Sequence, residues 1–250
     1  MKQESGPSSA PVLLPAGASD QLTFTPSGNL TEQRRKELES LVDRYQQYLR
    51  GLGYQARGSQ LKVDIRDGAL QTDGAIAYYD PRSTSVVIDS RYTGDSDLPL
   101  HEYSHHVLIG DRRFSSSWYS AIEYGLSAYF PCSFKNEPVL GRMTASISKS
   151  DLASDLTNKK PFTRVTDAQD WPFRMGEVWS AAFWEMPGLL GQEAADRLLY
   201  AIWSSTADEE AMANDPKRFV KRVVAAVAEL RSDDRAEAVR QIFSRRGIPL

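Results

Sequence analysis

The chain has 250 residues, 41% of them hydrophobic and 25% charged, with a formal net charge of −3. That length and balance predict a soluble globular protein with a sizeable core, built as one domain or one domain of two lobes. They exclude a nucleic-acid footprint, because there is no basic block, an internal disulfide, because Cys132 is the one cysteine, and a membrane span, because no apolar run approaches about 20 residues.

Residues 1–28 are rich in Ser, Pro, Gly and Ala without periodicity and read as a disordered leader or linker. Their apolar stretch, Pro11-Val12-Leu13-Leu14-Pro15, is too short for a signal-peptide core. The protein is therefore expected to be cytoplasmic, or secreted or periplasmic with its signal absent from this sequence. Leu38, Leu41, Val42, Tyr45, Tyr48, Leu49 and Leu52 predict a helix from Leu30 or Thr31 to Gly51 or Gly53. Leu61, Val63 and Ile65 predict a strand, followed by turn signals at Asp67-Gly68 and Asp73-Gly74. Ile76–Tyr79 and Ser85–Asp89 read as a hairpin around Asp80–Ser83. A helix capped by Asp97, with Pro99 in its first turn, runs to Gly110.

A second helix is expected over Trp118–Phe130, capped by Ser117 and stopped by Pro131. Residues 132–171 look loop-rich, with helix hints at Ser150–Leu156. Four more helices follow: Gly176–Met186, Gly191–Ser204, Pro216–Leu230 and Asp234–Arg245. The fold class is α+β: an N-terminal lobe of about residues 29–112 with a small sheet, a helical C-terminal lobe of about 113–250, and the 97–110 helix between them.

That helix contains His101-Glu102-x-x-His105, and all three histidines of the chain lie in its 101–106 stretch. His101 and His105 are roughly 40° apart around a helix, so both imidazoles share one face and can give a Zn²⁺ ion two nitrogen ligands. Glu102 beside them can act as general base. The plainer alternative is an amphipathic helix that happens to carry histidines. A catalytic zinc usually takes a third protein ligand. His106 lies roughly 140° from His101 and points elsewhere, to a polar edge or an orienting role. Asp111 would extend the motif as in metzincins, but Leu108 stands where that pattern has a glycine. Glu123, eighteen residues after His105, is preferred. Ala121, Ile122, Gly125, Leu126 and Ala128 around it predict burial, and a buried carboxylate needs a positive partner.

From about Ala75 onward the chain resembles the gluzincin metallopeptidases, the group containing thermolysin and fungalysin. The resemblance rests on the hairpin Ala77-Tyr78-Tyr79-Asp80-Pro81 to Val87-Ile88-Asp89, the zinc helix Asp97–His106, and the glutamate helix Ala121-Ile122-Glu123-Tyr124-Gly125-Leu126-Ser127. Gly176–Glu185 and the closing Ala236–Gly247 segment extend it. It implies a zincin-like two-lobe fold with one catalytic zinc held by His101, His105 and Glu123, and Glu102 as base. It also implies a peptide or protein substrate laid along the backbone of Ala77, Tyr78 and their strand neighbours; calcium is a further cofactor such a fold can carry. The expected activity is zinc-dependent peptide-bond hydrolysis, and the alternative is a non-catalytic or weakly active zincin-like module that binds a peptide or protein.

Three departures from the pattern stand out. Ser127 occupies the place of an aspartate that orients a ligand histidine, and Ile76 that of a substrate-binding asparagine. No histidine follows His106 to stabilise an oxyanion, which leaves Tyr124, Tyr129, Arg174 or Tyr200 for that work.

Overall fold

Leu38, Val42, Tyr45, Leu49 and Leu52 recur at helical spacing, and all are buried along helix α1 (Glu32–Leu52), whose N-cap Thr31 accepts the Arg34 N–H. The structure is a computed structural model that describes residues 20–25, 30–67, 76–110, 116–149, 153–164, 170–206 and 215–250. Four strands, β1 (Gln21–Phe24), β2 (Gln60–Arg66), β3 (Ala77–Asp80) and β4 (Ser85–Asp89), form a mixed sheet in the order β1-β2-β4-β3. β1, β2 and β4 run parallel, and β3 returns antiparallel as an edge. β2 buries Leu61, Val63 and Ile65 and turns alternate residues outward, whereas β4 lies between two strands and is buried at every position.

The remaining elements are α2 (Asp97–Ile109), α3 (Ser117–Lys135), β5 (Val139–Leu140), α4 (Arg142–Ser148), β6 (Ser154–Asp155), α5 (Trp171–Glu185), α6 (Pro187–Leu190), α7 (Gln192–Thr206), α8 (Pro216–Leu230) and α9 (Asp233–Arg245). The fold is α+β, dominated by helices. α2 is central. Every residue from Asp97 to Leu108 except His101 is buried, because α1 and β3 pack on it from one side and α3 from another. Its N-terminal approach is clamped by Arg34, whose guanidinium donates to the Thr93 and Gly94 carbonyls. Asp95 accepts from the Asp97 and Thr144 N–H groups. At its far end the Trp203 indole donates to the Leu108 carbonyl over 3.1 Å.

α3 and α5 lie so close that a Cβ on Gly125 would stand 2.6 Å from that of Trp179, and one on Gly176 2.6 Å from that of Tyr124. No side chain larger than hydrogen fits at either position.

Behind α2 sits a buried carboxylate, Asp20. It accepts from the Tyr54 hydroxyl at 2.5 Å, the Tyr103 hydroxyl at 3.0 Å, the Ser59 hydroxyl at 3.0 Å and the backbone N–H groups of Arg57 and Ser59. Burial raises its pKa, but the hydrogen bonds from His106, Tyr54 and Tyr103 outweigh that and hold it well below the usual carboxylate range.

Several expectations change. Order begins before Leu30: Asp20 and β1 belong to the fold although they lie inside the stretch read as leader, and residues 1–19 fall outside the described ones. Asp97 is not the N-cap; Ser96 is. Asp97 instead accepts from the Gly141 N–H at 2.7 Å and pairs with Lys135. Ser116, not Ser117, caps α3, and Pro131 lies within α3 rather than ending it, because packing holds the helix through to Lys135. Residues 132–171 contain α4. The helix hint at 150–156 gives β6 in its described part, paired with β5. α5 starts at Trp171, five residues before Gly176. The Asp73-Gly74 turn lies outside the described residues. Among the described residues no helix is long and apolar enough to cross a membrane.

Replacing Asp20 with Asn should destabilise the fold by about 2–4 kcal/mol at neutral pH, since charge-assisted bonds are lost and an amide NH₂ meets hydroxyl donors. Because the folded-state pKa is depressed, this stability is present above the unfolded value of about 4 and is lost as pH falls through the folded value. Urea titrations across pH should therefore show a flatter acid limb for Asp20→Asn than for the natural chain. Gly176→Ala should cost about 1–3 kcal/mol by the same measurement, since the helices must separate.

Candidate functional site

The spacing that puts His101, Glu102 and His105 on one side of α2 turns them toward α3, and there Glu123 and Tyr124 meet them. These five side chains line one cavity of about 530 Å³, closed by β3, α5 and the Leu140–Thr144 segment. The rest of its wall is largely apolar, with Ile76, Leu98, Ile109, Leu140 and Phe173.

The two imidazoles stand edge to face, with ring centroids 4.6 Å apart. His101 donates Nδ1–H to the Ser127 carbonyl over 3.1 Å, and His105 Nδ1 is bonded to Glu123 Oε1 over 2.7 Å. Each of these bonds fixes a tautomer, leaving a lone pair on Nε2, and the two Nε2 atoms are 3.2 Å apart. Two lone pairs at that distance repel unless a cation lies between them, either a proton on one ring or a metal ion. Two nitrogens each about 2.0–2.1 Å from a tetrahedral zinc would stand on the order of 3.3 Å apart, so the observed separation fits.

Glu123 engages the outer nitrogen of His105 in this arrangement. Among the described residues no three of the His, Cys, Asp and Glu side chains converge on one point. The donor chemistry nevertheless suits zinc: two imidazole nitrogens facing each other, with a buried carboxylate packed against one of the rings.

The electrostatics sort the roles. Burial and the neighbouring His105 charge push the His101 pKa down. Burial also works against charge on His105, but the Glu123 carboxylate overcomes it and raises that pKa. Burial lifts the Glu102 carboxyl to about 7, although His105 and the Tyr79 backbone N–H that Glu102 accepts both pull it down. A carboxyl poised there can take up and release protons near neutrality.

β3 brings its edge to the same cavity. The Asp89 N–H donates to the Ile76 carbonyl, and the register pairs Tyr78 with Val87, so the backbone groups of Tyr78 face β4. Those of Ala77 and Tyr79 face outward. The backbone groups of Ala77 therefore face away from β4 beside this cavity, whereas those of Tyr78 are taken up by the pairing with β4. His106 is on the other side of α2, with Nδ1 3.1 Å from the Tyr79 hydroxyl and Nε2 3.3 Å from the Ser59 hydroxyl. Asp111 lies outside the described residues.

Two features escaped the sequence reading. Asp20, a lone acid at the end of a Ser/Pro/Gly-rich stretch, gave no signal. Pro131 gave one that was misread. Proline has no N–H to give the carbonyl four residues back, which is that of Ser127, and this is the carbonyl that accepts from His101. The Ser127 hydroxyl turns instead to the Tyr124 carbonyl. The His101 partner at this position is therefore a main-chain oxygen freed by a proline.

Compared with models of protein families and with curated proteins, the chain matches none.

Pro131→Ala restores a competing N–H. The variant should lose at most about 1 kcal/mol of stability, because the regained helix bond offsets the lost packing. Its His101 Nδ1–H should become more exchangeable in imidazole NMR spectra; an unchanged signal would show that the Ser127 carbonyl serves both donors.

Proposed function

We propose that the protein is a zinc-dependent metallopeptidase with a zincin-like two-lobe fold, in which β3 forms one wall of the cleft, α3 and α5 the other, and α2 runs between them. The observation that carries this reading is the pair of Nε2 nitrogens 3.2 Å apart in a cavity shared with Glu102 and the edge strand β3. His101 and His105 would hold the ion through Nε2, and Glu123, which bonds the outer nitrogen of His105 here, would have to turn from that nitrogen to serve as the third protein ligand. When bound, zinc lowers the pKa of its water to about 7 and polarises a carbonyl.

The chain's own groups do the rest. Glu102 takes a proton from the attacking water and returns one to the departing amine. The outward N–H and C=O groups of Ala77 and the outward C=O of Tyr79 would hold an extended peptide as an added strand. The apolar wall around Phe173 and Leu140 would take a side chain of that peptide.

Glu102→Gln should retain zinc while cleavage of an unfolded protein such as casein falls by about 10²–10⁴-fold. A metal-loaded variant with full activity would sink the mechanism. Glu123→Ala should weaken zinc binding by at least about 10–100-fold in a competition titration against a chromogenic chelator. Chelation of the natural protein should abolish cleavage and added zinc should restore it. A zinc-loaded natural protein that cleaves no member of a varied peptide library would favour the non-catalytic peptide-binding module instead.

A further inference from the structure

Peptide hydrolysis places negative charge on the carbonyl oxygen, and a donor aimed at that oxygen is typically worth about 10²–10³ in rate. In this chain no imidazole is free to be that donor. All three histidines lie between His101 and His106, and both ring nitrogens of each are engaged. Three other donors weighed from the sequence are placed elsewhere. The Tyr129 hydroxyl donates to Asp196 over 2.6 Å, Tyr200 is buried against Phe130, and Arg174 is exposed and paired with Asp170 at 2.9 Å.

Tyr124 differs from all of these. Between Ala121 and Ser133 it is the one residue that is not buried, because the cavity opens at its position. Its ring stands edge-on to His105 at 5.2 Å between centroids and to Phe173 at 5.7 Å. Its Cβ rests where Gly176 leaves room for nothing larger. The ring is thus held from three directions, while its hydroxyl has no hydrogen-bond partner among the described residues.

We propose that Tyr124 is a catalytic residue that donates its hydroxyl hydrogen bond to the carbonyl oxygen of the scissile peptide as that oxygen becomes negative. The inference rests on the peptidase reading above. As the water oxygen bonds to the carbonyl carbon, the π pair moves onto the carbonyl oxygen, and Glu102 accepts the water proton. The Tyr124 O–H shortens its bond to that oxygen and keeps its own proton. On collapse the C=O bond re-forms, the C–N bond breaks, and the amine leaves with the proton from Glu102. The phenol is unchanged over the cycle and acts only on the charge.

Tyr124→Phe removes one oxygen from the cavity wall and leaves the ring contacts in place. In the zinc-loaded protein it should lower kcat for an internally quenched peptide by about 10²–10³-fold, with KM, zinc content and melting temperature little changed. Calorimetry should show a phosphinic peptide, which mimics the tetrahedral state, losing affinity by a similar factor. A variant that keeps the natural kcat, that loses only KM, or that sheds its zinc overturns the assignment while leaving the peptidase reading intact. A natural protein that binds zinc and cleaves nothing overturns both.

Discussion

A helix carrying Asp97, Glu102, Ser104, His105 and His106 is buried here on nearly every side, and that constraint organises the molecule. An unanswered buried polar group costs about 1–3 kcal/mol, so a few of them would consume the 5–15 kcal/mol by which a typical domain is stable. Each polar group of α2 therefore draws a partner from a different element. Lys135 and the Gly141 N–H answer Asp97, and the Tyr79 N–H answers Glu102. Tyr45 bonds the Ser104 hydroxyl, Glu123 bonds His105, and Tyr79 and Ser59 bond His106. The sheet, α1 and α3 are positioned as much by these demands as by apolar packing.

The same helix keeps two electrostatic environments apart. A single step from His105 to His106 rotates the side chain by roughly 100°, which moves it from the cavity into the cluster around Asp20. The cluster holds an ionised carboxylate among five donors, whereas the cavity holds two facing imidazole nitrogens and a carboxyl whose pKa burial lifts to about 7. β3 connects the two sides through one residue: the Tyr79 hydroxyl reaches His106 and its N–H reaches Glu102. Chemistry on one face is thereby braced by structure on the other.

Periodicity made part of this legible in the sequence. α1, β2 and α8 could be read from the spacing of their apolar residues, because each buries a single stripe or alternates, and β4 from its short apolar run Val86–Ile88. The histidine helix could be placed from its motif and from Pro99. Glu123 could be singled out because a carboxylate amid Ala, Ile and Gly must be compensated. What could not be read depended on partners distant in sequence. Local propensity makes Pro131 a helix stop; only the packing of α3 on α2 and α5 turns it into a device that frees a carbonyl. Asp97 looks like a cap until Lys135 and Gly141 come into place. Leu22 and Phe24 are too few to announce a strand without β2 beside them, and the nitrogen of His105 that meets Glu123 is decided by the approach of two helices.

β1 and Asp20 also bear on where the folding unit starts. Composition shifts near residue 29, and a domain boundary drawn there would look safe. A chain cut at that point would lose the strand paired with Gln60–Val63 and the carboxylate that gathers Tyr54, Ser59 and Tyr103. Those hydroxyls would then lie buried without an acceptor, and the rear support of the histidine helix would go with it. A protease acting within residues 26–29 would cut between that anchor and everything it holds. Among the described residues, its strand pairing and the hydrogen bonds of Asp20 are what would hold the nicked fragment. In this protein a segment that resembles a tether is part of the foundation.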